Sequence, residues 1–225
     1  MKKRFISVIL TALVCAMTIL SGCSGGTDNT SSQDNTSKEP TYGGSVVVGI
    51  QQDIDSLDPH KATAAGTKEI LFNIFEGLVK PDENGNLTNA VASDYNISED
   101  GLVYTFTLRD GVKFHNGETV TAKDVKYSLD RVAGLLDGSA ALVSTFKTVK
   151  SVDIIEDNKV QVTIGSPNTE FIYSFTAATA AIIPYGSADK ENSDPIGTGP
   201  FKFVSYTPQE GIVVEKNSDY WQSGV

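Results

Sequence analysis

Cysteine is nearly absent from this sequence of 225 residues. Its two cysteines, Cys15 and Cys23, both lie close to the N-terminus, so everything after Cys23 lacks a thiol. Disulfide bonds and thiolate metal sites are therefore excluded there. The two histidines, His60 and His115, are far apart, and no Cys, His or Glu pattern typical of a metal site accompanies either. The sequence therefore predicts neither a bound metal nor a cofactor.

Positive charge is also scarce. Lysine and arginine number 18 against 28 aspartates and glutamates, which gives a formal net charge of −10. No basic patch is visible, so a nucleic-acid partner is not expected. The acidity is typical of a solvated extracellular protein and says little about the fold.

The N-terminus has the pattern of a targeting segment. Three basic residues precede an apolar stretch of 16 residues, Phe5 to Leu20, which is short for a membrane span. We therefore expect residues 1–22 to be a signal peptide. Leu20-Ser21-Gly22-Cys23 resembles the bacterial lipobox, which implies acylation of Cys23, with palmitate among the attached lipids. A plain signal peptide with an incidental cysteine is the alternative.

Residues 23–44 would then form a lipid-anchored linker. Its run of Ser, Thr, Asn and Gly offers almost nothing to bury, so the composition cannot offset the entropy cost of ordering. A flexible coil of this length spans roughly 25 Å on average. Two or more acyl chains hold a protein stably to a bilayer. We expect a folded body tethered just outside a membrane.

The first elements of the body are a strand and a helix. The β-branched run at residues 45–50 predicts a buried strand. Beyond it, apolar residues recur at helical spacing, and Thr67 and Pro81 stand where a cap and a stop are expected. The members of this apolar face are Ile70, Leu71, Ile74, Phe75 and Leu78.

A strand, two turns and a second helix follow. Residues 102–108 alternate between apolar and other side chains, which predicts a strand. Asp110-Gly111 and Asn116-Gly117 are typical turn dipeptides. Thr121 and Asp124 have the spacing of a capping box. The helix behind them would bury Val125, Leu129 and Val132 and pair Lys126 with Asp130.

The C-terminal part is rich in hairpins. Residues 151–164 predict a hairpin turning at Asp157-Asn158, and residues 199–217 predict another turning between Thr207 and Gly211. Between them, residues 180–184 predict a strand. The fold class is mixed α/β without an internal repeat.

Patterns for catalysis are weak. Gly197-Thr198-Gly199-Pro200-Phe201 lacks the spacing of a phosphate loop, and a strand rather than a helix follows it. Asp53, Asp55 and Asp58 are close enough in sequence to supply a glycosidase-type carboxylate pair, but solvated loop acids are the simpler interpretation. No serine elbow or Cys–His pair suggests a nucleophile. We expect no enzyme.

Several stretches together resemble one family, the extracellular solute-binding proteins of peptide- and nickel-type ABC importers (family 5). Residues 104–132 are similar to its signature nearly position for position. Four further stretches match in the expected order, at residues 56–61, 73–79, 195–206 and 217–221.

The resemblance implies a periplasmic-binding-protein type II-like first lobe, incomplete and without the second lobe. Residues 45–60 and 181–225 would belong to its sheet domain, and residues 61–180 to an inserted subdomain. In peptide-binding relatives the stretch after Leu-Asp-Pro-His pairs with the peptide backbone. This implies ligand contacts at Ala62, Thr63, Ala64, Ala65 and Gly66, with a second contact at Ser139 and Ala140.

The implied function is capture of oligopeptides or dipeptides outside the cytoplasmic membrane, in the periplasm or at the cell surface. Its partners would be a peptide ligand and the permease and ATPase of an ABC transporter, and the complete protein would be a monomer. Alternatives within transport are nickel, heme or a sugar. A peptide-sensing receptor that transports nothing and a lipid-anchored hydrolase are alternatives of other classes.

Overall fold

The computed structural model of the protein describes residues 43–136 and 141–223, which contain two α-helices and eight strands. Three short 3₁₀ helices, Ser144–Thr148, Phe171–Thr176 and Ala178–Ala180, connect them. The helices are α1 (Ala65–Ile74) and α2 (Ala122–Ala133); the strands are β1 (Val79–Pro81), β2 (Leu87–Asn89), β3 (Ala92–Ile97), β4 (Val103–Leu108), β5 (Val149–Glu156), β6 (Lys159–Ile164), β7 (Phe201–Thr207) and β8 (Gly211–Lys216).

A four-stranded antiparallel sheet organises the larger core. Its strand order is β3-β4-β6-β5, while β1–β2 and β7–β8 are separate hairpins. In β4 every second side chain is buried, including Tyr104, Phe106 and Leu108. Period-two alternation places one set of side chains on a single face, so the predicted strand and its buried face are confirmed. The predicted turn at Asp157-Asn158 is confirmed as well.

Aromatic rings fill the space beneath this sheet. Phe175 lies 4.9 Å from Phe106, 5.3 Å from Phe146 and 5.2 Å from Phe171, measured between ring centroids. All three pairs meet edge to face, an arrangement that adds about 0.5–1.5 kcal/mol per pair beyond area burial. Helix α2 packs against β5 and β6 with its predicted apolar face buried.

The boundaries of α2 follow the sequence signals. Thr121 is the N-cap, and its backbone N–H donates to Asp124 Oδ2 at 2.8 Å, as a capping box requires. Gly134 ends the helix at φ 73°, the left-handed conformation that glycine adopts without strain. The Lys126–Asp130 pair is present at 2.9 Å.

Helix α1 differs from its prediction at both ends. Its N-cap is Ala64, and Thr67 lies inside the helix, where its Oγ1 accepts a hydrogen bond from the Asp55 N–H. The helix stops at Ile74, so Leu78 is not part of it. Other chain segments force this end: the Gly199 N–H bonds to Ile74 O, and a Cβ on Gly77 would lie 2.1 Å from Phe175 O.

The predicted strand at residues 45–50 is wrong. Val46 and Val47 are 87% and 96% exposed, and residues 45–50 have no strand pairing within the described residues. A β-branched run favours extended backbone, but a strand also needs a neighbouring backbone to pair with.

The predicted strand at residues 180–184 is also wrong. The segment is buried and begins at the last residue of a 3₁₀ helix, Ala180. Its backbone bonds are irregular: Ile182 N–H donates to Glu76 O, and Ile183 N–H donates to Ser128 Oγ. The predicted hairpin between Thr207 and Gly211 is present as β7–β8. No helix in the described ranges has the length and hydropathy needed to cross a bilayer.

Candidate functional site

An open groove of about 390 Å³ lies beside the start of α1. Its lining comes from the segment that enters this helix, from the helix itself, from the segment that follows α2 and from the 3₁₀ helix Ala178–Ala180. The lining residues are His60, Lys61, Ala62, Thr63, Lys68, Leu142, Val143, Ser144 and Thr179. The groove thus joins segments about 80 positions apart in the sequence, which only the tertiary fold could bring together.

A buried charged cluster anchors the segment that enters the groove. Arg131 donates two hydrogen bonds to Asp58, from Nη1 to Oδ1 at 2.9 Å and from Nη2 to Oδ2 at 2.6 Å. Its Nη1 also donates to His60 Nδ1 at 2.7 Å, and His60 Nε2 donates to Ala181 O at 2.8 Å. All three side chains are buried. Such a bidentate pair fixes position as well as charge.

The cluster holds His60 in its neutral form. Burial lowers the pKa of His60 to about 4, because an imidazolium would lose its hydration beside the Arg131 charge. Burial alone would raise the pKa of Asp58, but the hydrogen bonds and charge of Arg131 outweigh it and hold that pKa below its usual value. His60 therefore serves as a neutral bridge between Arg131 and the backbone.

Another buried acid, Glu191, lies near Asp58 and Arg131. Burial raises the pKa of Glu191 to about 7, with the Asp58 charge acting in the same direction. Its oxygens accept hydrogen bonds from the Ser187 hydroxyl and from the Ile196 N–H. At neutral pH this carboxyl is partly protonated, and it is fully buried.

The structure places the predicted stretch Ala62–Gly66 partly in the groove. Ala62 and Thr63 line it, whereas the N-cap Ala64 and the first helical residues Ala65 and Gly66 are absent from its lining. The N–H of Ala62 donates to Asp58 O, and those of Thr63 and Ala64 donate to Asp55 Oδ2. These three amides are engaged within the chain, so backbone pairing with a ligand would fall to the carbonyls and to the first-turn amides of Ala65 and Gly66.

Two predicted contacts and the lipidation residue lie outside the described residues: Ser139, Ala140 and Cys23. The chain beyond that gap returns to α2, because the N–H groups of Leu142 and Val143 both donate to Val132 O. Leu142, Val143 and Ser144 line the groove on this side.

One interpretation of the loop acids is wrong. Asp53 and Asp55 are exposed as expected, but Asp58 is fully buried and paired with Arg131. Sequence reasoning missed Arg131, although a signal existed. Asp124, Ser128 and Arg131 recur at helical spacing beside the apolar face of α2, and all three are buried.

The Gly-Thr-Gly stretch is a packing element. His115 contacts both of its glycines: the His115 N–H donates to Gly197 O at 2.9 Å, and His115 Nε2 lies 3.0 Å from Gly199 O. A Cβ on Gly197 would lie 2.1 Å from Ile74 O, so only glycine fits. Neither histidine belongs to a metal-binding group, and the described residues contain no cluster of three potential ligands.

A second cleft, of about 850 Å³, surrounds Glu76. This buried carboxylate accepts hydrogen bonds from Lys80, from the Tyr220 hydroxyl at 2.6 Å and from Trp221 Nε1 at 2.7 Å. Burial and the Glu76 charge raise the pKa of Tyr220. Arg109 lies over the Trp221 ring at 4.2 Å. These contacts fasten Tyr220 and Trp221 to Glu76, which precedes β1, and to Arg109, which follows β4, so both aromatic residues have a structural role.

The family model described as bacterial extracellular solute-binding proteins, family 5 Middle, matches residues 86–225. The chain belongs to this family. Family 5 relatives include a glutathione-binding protein, GsiB, of Pectobacterium atrosepticum, which is 31% identical over 184 residues. That alignment covers 80% of this chain but 36% of the relative, so the chain spans about a third of the length of the curated relatives it matches.

Solved structures of this family share the fold. The periplasmic binding protein DppA of Helicobacter pylori, in complex with the peptide STSA, matches with a TM-score of 0.67 and 29% identity, covering 76% of this chain and 38% of that one. NikZ of Campylobacter jejuni, in complex with Ni(L-His), matches with a TM-score of 0.66 and 29% identity, covering 76% and 35%. The expected type II-like, mixed α/β first lobe is thereby confirmed.

Proposed function

We propose that this chain forms the first lobe of a solute-binding lipoprotein that captures small peptides outside the cytoplasmic membrane and delivers them to the permease and ATPase of an ABC importer. Membership of family 5 supports a binding role over catalysis. Among the relatives, GsiB is a glutathione-binding protein and DppA binds the peptide STSA. The same proposal assigns residues 45–60 and 181–225 to the sheet domain and residues 61–180 to the inserted subdomain.

The groove beside α1 is the observation that carries the peptide assignment. It combines Ala62 and Thr63, expected from the family resemblance to contact ligand, with the segment that follows α2. The groove has about 390 Å³, at the lower end of typical small-molecule sites. Small side chains at Ala62, Ala64, Ala65 and Gly66 allow close approach of a ligand backbone. Ser139 and Ala140 complete the proposed contact set.

Co-purified ligand tests this assignment directly. The complete encoded protein, isolated under native conditions, should release di- or oligopeptides that mass spectrometry identifies. Release of a metal complex, heme or sugar instead would refute the peptide assignment while keeping the transport class.

A pair of neighbouring serine and threonine residues gives a matched test of the groove itself. Ser144 and Thr145 are both exposed, but only Ser144 lines the groove. Ser144→Trp should therefore fill the groove and weaken peptide binding by at least about tenfold, or about 1.4 kcal/mol. Thr145→Trp should leave calorimetric affinity unchanged. Equal affinities of the two variants would place the peptide elsewhere.

The membrane anchor is proposed at Cys23, at the end of the lipobox-like sequence. Cys23→Ala should shift the protein from the detergent phase to the aqueous phase in phase partitioning, or leave an unprocessed precursor. Acyl chains found on the variant by mass spectrometry would refute the assignment.

A further inference from the structure

The groove has a charge opposite in sign to that of the chain. Two of its nine lining residues, Lys61 and Lys68, are basic, and none of the nine is an aspartate or glutamate. The sequence as a whole has a formal net charge of −10. Clefts lined by one sign of charge concentrate ligands of the opposite sign. The groove is therefore a locally basic site on an acidic protein.

The charge of Lys61 is not cancelled by its nearest acid. Lys61 Nζ lies 3.4 Å from Asp58 Oδ2, but Asp58 already accepts two shorter bonds from Arg131. The charges of Asp58 and Arg131 balance, and His60 beside them is neutral because burial lowers its pKa to about 4. The side chain of Lys61 is 57% exposed, so its ammonium group remains available to a ligand.

The other acids near the groove do not cancel its excess of positive charge. Asp55 Oδ2 accepts hydrogen bonds from the Thr63 N–H, the Thr63 hydroxyl and the Ala64 N–H, and Asp55 does not line the groove. With Asp55 included, two negative charges, on Asp55 and Asp58, face three positive charges, on Lys61, Lys68 and Arg131. Glu191 is fully buried and partly protonated at neutral pH, since burial raises its pKa to about 7.

Hydroxyl groups complete a site for a carboxylate. Ser144 and Thr179 line the groove together with the two lysines. A hydroxyl can donate one hydrogen bond, and a lysine ammonium can donate three, whereas a carboxylate only accepts. We propose that this groove selects peptides that place a carboxylate against Lys61 and Lys68. The inference rests on the proposed function, because it names the class of peptide that the groove accepts.

Three tripeptides of nearly equal size test the selection in the complete protein by isothermal titration calorimetry. Ala-Glu-Ala carries two carboxylates, Ala-Gln-Ala carries only the terminal one, and C-terminally amidated Ala-Gln-Ala carries none. We expect at least one of the two carboxylate-to-amide changes to weaken binding by about three- to tenfold, the range for charge-assisted contacts at a partly exposed site. That difference should shrink as salt is raised, since exposed charges are screened.

Lysine variants identify the groups responsible. In Lys61→Gln and in Lys68→Gln, replacing the peptide carboxylate with an amide should no longer weaken binding, so the ratio of the two affinities should approach one. Lys113 is an exposed lysine outside the groove, and Lys113→Gln should keep the ratio of the parent protein. Lys68→Gln leaves the Asp58 contacts intact, so it tests whether the groove lysines select the carboxylate even if Lys61→Gln perturbs folding.

The outcomes separate this inference from the proposed function. Equal affinity for all three peptides, or an unchanged penalty in both groove variants, would overturn the charge selection and leave peptide binding standing. Binding of none of the peptides, with a non-peptide ligand co-purifying, would overturn both.

Discussion

Arg131 of α2 pairs bidentately with Asp58, a residue 73 positions earlier in the chain, at 2.9 and 2.6 Å. The pair connects the signature helix to the segment that enters the groove. Both side chains are buried, so neither charge has water as an alternative partner. The relationship makes this helix part of the support for the proposed ligand site as well as part of the core.

Breaking this pair should destabilise the fold strongly. Asp58→Asn leaves the buried guanidinium without a counter-charge, and we expect a loss of about 3–5 kcal/mol in the free energy of unfolding. Denaturant titration followed by circular dichroism measures it. As a control, Lys159→Gln removes one partner of an exposed pair with Glu156 and should cost less than about 1 kcal/mol. Losses of equal size in the two variants would refute the role of burial.

Glu191 should make stability decrease as pH rises. The pKa of Glu191 in the folded protein, about 7, lies above its ordinary value of 4.5, so the folded state binds its proton more tightly than the unfolded state does. Its contribution is therefore full below about pH 4.5 and is lost as pH rises through 7. The loss is on the order of 3 kcal/mol.

The variant Glu191→Gln isolates this contribution, because an amide stays neutral throughout. It should match the parent protein near pH 4.5 and be the more stable of the two at pH 8 in thermal or denaturant unfolding. Glu99→Gln, at an exposed position, should track the parent at every pH. An unchanged pH dependence in Glu191→Gln would show that this carboxyl titrates normally.

Gly197→Ala should disrupt the contact between the Gly-Thr-Gly stretch and α1. The added Cβ would meet Ile74 O at 2.1 Å, a backbone atom that cannot move aside. We expect a loss of at least about 2 kcal/mol, in the range of overpacked cores. Gly49→Ala, where a Cβ meets nothing within 4 Å, should change stability by less than about 0.5 kcal/mol. A tolerated Gly197→Ala would mean that this packing is loose.

Thr121→Ala should remove part of the capping box of α2 and cost about 1 kcal/mol of unfolding free energy. Ligand preference should stay the same, because neither Thr121 nor Asp124 lines the groove. Thr145→Ala, at an exposed position, is the control for losing a threonine side chain. A changed ligand preference with unchanged stability would contradict a purely structural role.

Local patterns in the sequence determined the elements whose stability is local. The alternation in β4, the capping box of α2, its apolar face and the turns of the β5–β6 and β7–β8 hairpins all lie where the sequence predicts them. In each case the periodicity, cap or turn chemistry acts within a few residues, so no distant contact is needed to specify it. The family resemblance, too, was readable from residues 104–132.

The tertiary structure decided everything that depends on a distant partner. Residues 45–50 have the composition of a strand but no paired neighbour among the described residues, and α1 ends early because Gly77 and Gly199 must pass close to other backbone. Asp58 has the sequence context of a solvated loop acid, but its ion pair with Arg131 lets both side chains be buried. The groove likewise exists because the segments before α1 and after α2 meet in space. The physical reason is common to all of these. Burial and pairing depend on both of the segments that come into contact, so the sequence of one segment alone does not determine them.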